Sequence, residues 1–219
     1  MGKLSASILA ADLARLGDEI RAVEPFAEVI HVDVMDGHFV PPIALGAVVV
    51  ASLRPVTTRT LHGHLMVDSP AALFDDLREA GLDVVSFHLE AVPEPGPVID
   101  KARGAGLGVG LTLNLETPVD AVVPYLERID DVMLMSIRPG WSYQQLDPDV
   151  YPRVEAVRDH VDRLGLAVDL EVDGGIKVGN ARRAVDAGAN VLIAASGIFG
   201  QPDPAAAAAE LQAIVAGAG

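Results

Sequence analysis

Three short stretches of this 219-residue chain concentrate side chains that bind metal ions and move protons. The first is His31-Val32-Asp33-Val34-Met35-Asp36-Gly37-His38. Period-2 alternation along a strand puts His31, Asp33 and Met35 on one face and Val32, Val34 and Asp36 on the other. An imidazole and a carboxylate two positions apart on an inward face can reach one ion. The second stretch, His62-Gly63-His64-Leu65-Met66, aligns His62, His64 and Met66 in the same way. The third, Glu171-Val172-Asp173-Gly174-Gly175, ends a strand with a carboxylate. Two imidazoles and two carboxylates from these strands form an N₂O₂ set of borderline softness, suited to Zn²⁺ or Fe²⁺ and its neighbours. A single His-x-Asp pair would serve equally well as a hydrogen-bonded cap on a strand end. Contribution from three strands at equivalent depth is what argues for an ion. Met35, Met66 and Met135, on pattern alone, read as flexible core filler.

The glycines beside these residues suggest a second kind of chemistry. Gly174-Gly175 leads toward a helix near Val178, and Ala195-Ser196-Gly197 leads toward the last helical segment. Small residues let backbone N–H groups approach an anion, and barrel phosphate sites commonly use the seventh and eighth loops. An ordinary tight turn has the same appearance. The run Gly104-Ala-Gly106-Leu-Gly108-Val-Gly110 is not a dinucleotide fingerprint, because its spacing is wrong and it enters a strand from a helix.

Short β-like runs alternate with helical segments along the whole chain. The strands are expected at 4–9, 29–35, 58–67, 84–88, 108–113, 132–137, 167–172 and 191–195. The helices are expected at 12–23, 45–53, 70–79, 97–103, 118–126, 148–163, 178–186 and 204–215. Several helices open with Pro in the first turn, where its missing N–H costs nothing, and Ser69-Pro70 and Thr117-Pro118 offer a capping hydroxyl as well. Glu79-Ala80-Gly81-Leu82-Asp83-Val84-Val85 resembles Asp186-Ala187-Gly188-Ala189-Asn190-Val191-Leu192, each a helix ending at Gly before a buried strand. Eight such units predict a closed α/β barrel, one (β/α)₈ domain over residues 1–219, with an open doubly wound sheet as the alternative. Either fold places ligand chemistry at the C-terminal ends of the strands.

Apolar residues make up 50% of the chain and charged residues 21%, a globular balance. Sixteen Lys and Arg against 31 Asp and Glu give a net charge of −15. Such a surface disfavours nucleic acid and anionic membranes, yet allows one small phosphorylated ligand in a local positive pocket. The absence of cysteine excludes disulfides and thiolate metal sites and fits a reducing cytoplasm. Leu4 to Ala11 is too short for a signal peptide or a membrane span, and Met1-Gly2 is followed by Ala6 where myristoylation wants Ser or Thr. A soluble protein is expected. Apolar barrel faces serve packing and association alike, and a homo-oligomer is the expected assembly.

With these residues in view, the chain resembles the ribulose-phosphate 3-epimerase family almost end to end. The resemblance rests on Ser7-Ile8-Leu9-Ala10-Ala11-Asp12 with Leu16-Gly17, and on His31-Val32-Asp33-Val34-Met35-Asp36-Gly37-His38-Phe39-Val40-Pro41. It continues through His64-Leu65-Met66-Val67, Phe87-His88-Leu89-Glu90-Ala91, Met135 before Pro139-Gly140, and Glu171-Val172-Asp173-Gly174-Gly175-Ile176. It implies a TIM barrel of the ribulose-phosphate-binding type that interconverts D-ribulose 5-phosphate and D-xylulose 5-phosphate with one divalent metal ion. Zn²⁺ is the first expectation, with Fe²⁺, Mn²⁺ or Co²⁺ as alternatives. His31, Asp33, His64 and Asp173 match the family's metal ligands, and Asp33 and Asp173 also match its acid/base pair. Ser7, Met35, Met66 and Met135 match residues around the substrate. Gly174, Gly175 and Ser196, with Gly197 beside them, fall where the family binds phosphate.

Four departures bear on the substrate. Gly140-Trp141-Ser142-Tyr143-Gln144 replaces the usual Gly-Phe-Gly-Gly-Gln, Arg138 stands where Glu is common, and His62 stands where Asp is usual. Ala195-Ser196-Gly197 replaces Gly-Ser-Ala, an order closer to that of allulose-6-phosphate epimerases. The metal and acid/base set is intact, so a related ketose phosphate such as allulose 6-phosphate is the alternative substrate. A barrel that binds a sugar phosphate without turning it over is the remaining alternative, against which Asp33 and Asp173 argue.

Overall fold

The computed structural model describes residues 2–217, so Met1 and the last two positions of the expected 1–219 span lie outside the described residues. In chain order the elements are β1 (Lys3–Ser7), α1 (Leu16–Val23), β2 (Val29–Asp36), β3 (Ile43–Ala44), α2 (Ala47–Leu53), β4 (Thr60–Met66), α3 (Phe74–Glu79) and β5 (Val84–His88). They continue with α4 (Pro95–Gly104), β6 (Gly108–Leu113), β7 (Asp131–Met135), α5 (Val150–Leu164), β8 (Asp169–Asp173), α6 (Val178–Asp186), β9 (Val191–Ala194) and α7 (Pro204–Ala216). Strands β1, β2 and β4 to β9 pair in parallel around a ring that β1 closes by pairing with both β2 and β9. The expected (β/α)₈ barrel is the fold that forms.

Alternation divides every strand between two environments. In β2, Ile30, Val32 and Val34 join the main core between sheet and helices, which also contains Leu61, Leu65, Val172 and Leu192. The opposite face points into the barrel and carries His31, Asp33 and Met35, none of which belongs to that core. Register then fixes which polar groups meet. His31 sits opposite His62, Asp33 opposite His64 and Met35 opposite Met66, while Ser7 pairs with His31 and Met135 with Asp173.

The repeated helix ends behave as their sequence suggested. Leu82 N–H bonds the carbonyl of Leu77 and Ala189 N–H that of Ala184, both spanning a glycine with positive φ, Gly81 and Gly188. This closes the helix and aims the next residue into the following strand.

Other local expectations are corrected. Residues 118–126 do not form an α-helix but two 3₁₀ turns, Val119–Ala121 and Val123–Arg128. Pro124 lacks the N–H that an α-helix would bond to the carbonyl of Asp120, and three neighbouring valines favour extended backbone. Neither Ser69 nor Thr117 caps a helix. Thr117 instead donates its hydroxyl to Glu90. Asp12 caps a 3₁₀ turn, and α1 begins only at Leu16. The short β3 pairs antiparallel with β2 and was not expected. No helix among the described residues is long and apolar enough to cross a membrane.

Candidate active site

Around the C-terminal mouth of the barrel, β2, β4 and β8 bring His31, Asp33, His64 and Asp173 together, one donor atom from each lying within 4.8 Å of the others. His31 Nε2 is 3.3 Å from Asp33 Oδ1. His64 Nδ1 is 3.3 Å from the same oxygen and 3.5 Å from Asp173 Oδ2. Ser7, on β1, donates a 2.7 Å hydrogen bond to the other oxygen, Asp33 Oδ2. Both histidines are fully buried, and both Nδ1 atoms lack a hydrogen-bond partner. The unsatisfied His64 Nδ1 faces both carboxylates while His31 turns its Nε2 to Asp33, an arrangement that a cation-binding cluster leaves behind. The donor set fits one divalent ion.

Electrostatics support the same reading. Burial alone would raise the Asp33 pKa, but the charges and hydrogen bonds of His31 and His64 outweigh it and hold the carboxyl well below its usual range. Burial alone would lower His64, yet the negative charge of Asp173 and Asp33 beside its Nδ1 pushes it up to about 9. In the absence of a cation, the carboxylates make a proton on His64 serve as one.

His64 is oriented from behind. Its Nε2 lies 2.8 Å from Nε2 of His88, and His88 Nδ1 lies 3.3 Å from Glu90 Oε2. Glu90 also accepts from Asn114 N–H and the Thr117 hydroxyl. Burial pulls His88 down to about 4, so its ring is neutral at neutral pH. With His88 giving its Nδ1 proton to Glu90, its Nε2 accepts from His64. Once His64 gives up its second proton, its Nδ1 lone pair faces the carboxylates, the tautomer a metal ligand needs. Phe39 packs against the His88 ring at 4.7 Å between centroids. In the sequence His88 and Glu90 stand only within the Phe87-His88-Leu89-Glu90-Ala91 stretch of the resemblance, with no role assigned to either.

Above the cluster lies a cleft lined by Ser7, Met35, Met66, Met135, Asp173 and Ser196, among others. The three methionines are therefore not filler. They form two small apolar groups apart from the main core, Met35 and Met66 with Val40, and Met135 with Met133 and Ile193. On the far side, Gly174 and Gly175 both have positive φ, and a Cβ would strike Ile137 at Gly174 and Leu146 at Gly175. Only glycine fits this turn. None of the loop hydrogen bonds uses the N–H of Gly175, Ser196 or Gly197 as donor. Gly174, Gly175 and Ser196 line the cleft, whereas Gly197 lies behind it against the Ile176 carbonyl.

The altered loops sort themselves by position. Trp141, Ser142 and Tyr143 all line the cleft, and the Ser142 Oγ is buried without a partner. Tyr143 has φ 66° and is 70% exposed. Gln144 pins the loop by donating to the carbonyls of Arg138 and Trp141 at 2.8 Å each. Arg138 lines a neighbouring groove. His62 belongs to a deeper cluster with Asp131 and Glu171. Asp36, on the outer face of β2, accepts from the N–H groups of His38, Phe39 and Asp68 and organises the loop after the strand.

The fold and site together define a (β/α)₈-barrel enzyme, with a two-His, two-Asp cluster and a glycine-lined cleft at one mouth. A sequence model of the ribulose-phosphate 3-epimerase family matches residues 3–199, and the chain belongs to that family. It is accordingly an isomerase of the epimerase kind acting on carbohydrates. The ribulose-phosphate 3-epimerase of Synechocystis sp. is 42% identical over 94% of this chain and 91% of its own. That of Bacillus subtilis is 39% identical over 97% of this chain and 99% of its own. Among solved structures, a 3-hexulose-6-phosphate synthase superposes with TM-score 0.74 at 22% identity, covering 97% of this chain and 99% of its own. This last likeness concerns the fold alone.

Proposed function

We propose that this chain inverts carbon 3 of a phosphorylated ketose, converting D-ribulose 5-phosphate to D-xylulose 5-phosphate. The observation that carries the reading is the pair Asp33 and Asp173, whose oxygens lie 3.3 and 3.5 Å from one nitrogen of His64. Their strands, β2 and β8, are separated by β1 and β9 around the barrel wall. The two carboxylates therefore approach a ligand above them from different directions. That is the arrangement an inversion needs: one carboxylate takes the carbon-3 proton from one face and the other returns a proton to the opposite face.

A proton beside a ketone is too weakly acidic for an unaided carboxylate. His31, Asp33, His64 and Asp173 would hold one divalent ion, with Zn²⁺ the first candidate and Fe²⁺, Mn²⁺ or Co²⁺ the alternatives. When bound, the ion supplies Lewis-acid stabilisation of the negative charge that builds on the substrate oxygens, worth several kcal/mol. The Ser7 hydroxyl holds Asp33 Oδ2 and so sets the direction of the carboxylate. Met35, Met66 and Met135 give the reacting carbon apolar walls that keep water from competing for protons. Backbone N–H groups at Gly175 and Ser196, with the unpartnered Ser142 hydroxyl, receive the phosphate.

The names of the similar epimerases favour the five-carbon substrate. Turnover of D-ribulose 5-phosphate and of allulose 6-phosphate by metal-reconstituted protein, followed by NMR, tests this directly. The five-carbon substrate is expected to turn over faster. Preference for the six-carbon sugar would move the substrate, and turnover of neither would overturn the reading.

A further inference from the structure

A second group of potential ligands lies deeper in the barrel, toward the N-terminal ends of the strands. His62 of β4, Asp131 at the start of β7 and Glu171 of β8 each offer a donor atom within 4.8 Å of the others. All three are more than nine-tenths buried. His62 Nε2 is 2.6 Å from Ser86 Oγ, which donates at 2.7 Å to Asp131 Oδ1. Since that hydroxyl gives its proton to Asp131, it accepts from His62 Nε2–H. The His62 Nδ1 lone pair is left free, 3.7 Å from Glu171 Oε1. Asp131 Oδ2 lies 4.0 Å from His62 Nε2, on the Ser86 side of the ring.

Two further observations point to a missing ligand. Glu171 Oε2 is buried without any hydrogen-bond partner. A native structure rarely leaves a buried carboxylate oxygen so, because its desolvation goes uncompensated. Second, among the described residues the cavity beside these carboxylates offers no positive side chain free of an acidic partner. The cluster opens into a cavity of about 300 Å³ at the N-terminal end of the barrel. Lys3 is the one Lys or Arg lining that cavity, and it is engaged by Asp169 at 2.5 Å. Lys3 acts on Asp131 and Glu171 only from a distance, and burial pushes both carboxyls above their usual range.

We infer that His62, Asp131 and Glu171 form a second divalent-cation site, one nitrogen and two carboxylates completed by water from the cavity. Bonds of about 2.1 Å place tetrahedral donors about 3.4 Å apart, so His62 Nδ1 and Glu171 Oε1 close by a few tenths of an ångström on binding, while Asp131, whose donor lies within 4.8 Å of the others, closes further. The mixed N/O set suits Zn²⁺, Co²⁺ or Mn²⁺ better than Ca²⁺ or Mg²⁺. None of the three residues belongs to the mouth cluster, and the inference does not depend on the proposed reaction.

The test is a Co²⁺ titration of the metal-stripped full-length protein, read as metal per chain after desalting and as visible absorption of bound Co²⁺. Wild type should take two equivalents, and Glu171→Gln and His62→Gln should each take one. Loss of a direct ligand is expected to weaken the lower site by more than about tenfold, since even outer-shell changes cost that much. Asp173→Asn alters only the mouth set and should still bind one equivalent with an imidazole-type spectrum. That arm keeps the test decisive if the deeper variants do not fold. A single wild-type equivalent that Asp173→Asn abolishes would overturn the site, as would two equivalents retained in Glu171→Gln. A single equivalent that Glu171→Gln removes supports this site and counts against the mouth cluster instead.

Discussion

The Nε2 atoms of His64 and His88 lie 2.8 Å apart, so one ring donates its N–H to the other. Glu90 decides the direction by accepting from His88 Nδ1, which makes His64 the donor. His88 is thus a positioning residue for a mouth ligand. His88→Phe should weaken divalent-metal binding by about 10–100-fold. His88→Gln, which keeps an acceptor for His64, should recover part of the loss. Metal titration of the two variants checks this, and equal affinities would show that the hydrogen bond plays no part.

Glu90 should also shape acid stability. Burial raises its pKa, but His88, Thr117 and Asn114 outweigh burial and bring it from 4.5 down to about 2. A carboxyl whose folded pKa is depressed contributes stability above its unfolded pKa and loses it as pH falls through the folded one. The wild type should therefore lose stability between about pH 4.5 and pH 2 more steeply than Glu90→Gln. Thermal unfolding across that window measures the difference in slope.

Asp33→Asn should lower kcat/KM by about 10²–10⁴-fold, the usual contribution of a positioned acid/base group. Asp173→Asn and His64→Ala should lose activity and the mouth metal together, keeping the deeper equivalent. Metal analysis beside steady-state kinetics separates the two effects. Removing metal from the wild type should abolish turnover, and unchanged turnover would refute the Lewis-acid role.

Tyr143 occupies left-handed backbone at φ 66° in the loop lining the cleft. Tyr143→Gly should relieve about 1 kcal/mol of backbone strain while removing a wall of the cleft. Thermal stability should hold or rise, and the KM for D-ribulose 5-phosphate should change several-fold. An unchanged KM would assign the tyrosine to the surface.

Much of this architecture was legible because two periodicities carry it. Alternation in His31-Val32-Asp33-Val34-Met35 places the ligands on the inner face, and helix-ending glycines such as Gly81 and Gly188 punctuate the units. Depth was harder to read. His62 and His64 share a face but belong to different layers of the barrel, because register pairs one with His31 and the other with Asp33. The orienting chain through His88 and Glu90 depends on contacts across strands and loops that no local pattern encodes. Residues 118–126 read as a helix opening at Thr117-Pro118, but a single proline at 124 redirected them into 3₁₀ turns. The methionines read as filler because apolar side chains look alike in sequence, whether they face helices or a cleft.

The central claim is that Asp33 and Asp173 act on opposite faces of carbon 3. Conversion of D-ribulose 5-phosphate in deuterated water by the metal-reconstituted protein tests it most directly, with the isotope at carbon 3 of the product read by NMR. Removal by one carboxylate and return by the other, after exchange with solvent, predicts D-xylulose 5-phosphate carrying deuterium at carbon 3. Product that retains the original hydrogen in full would contradict the two-carboxylate account.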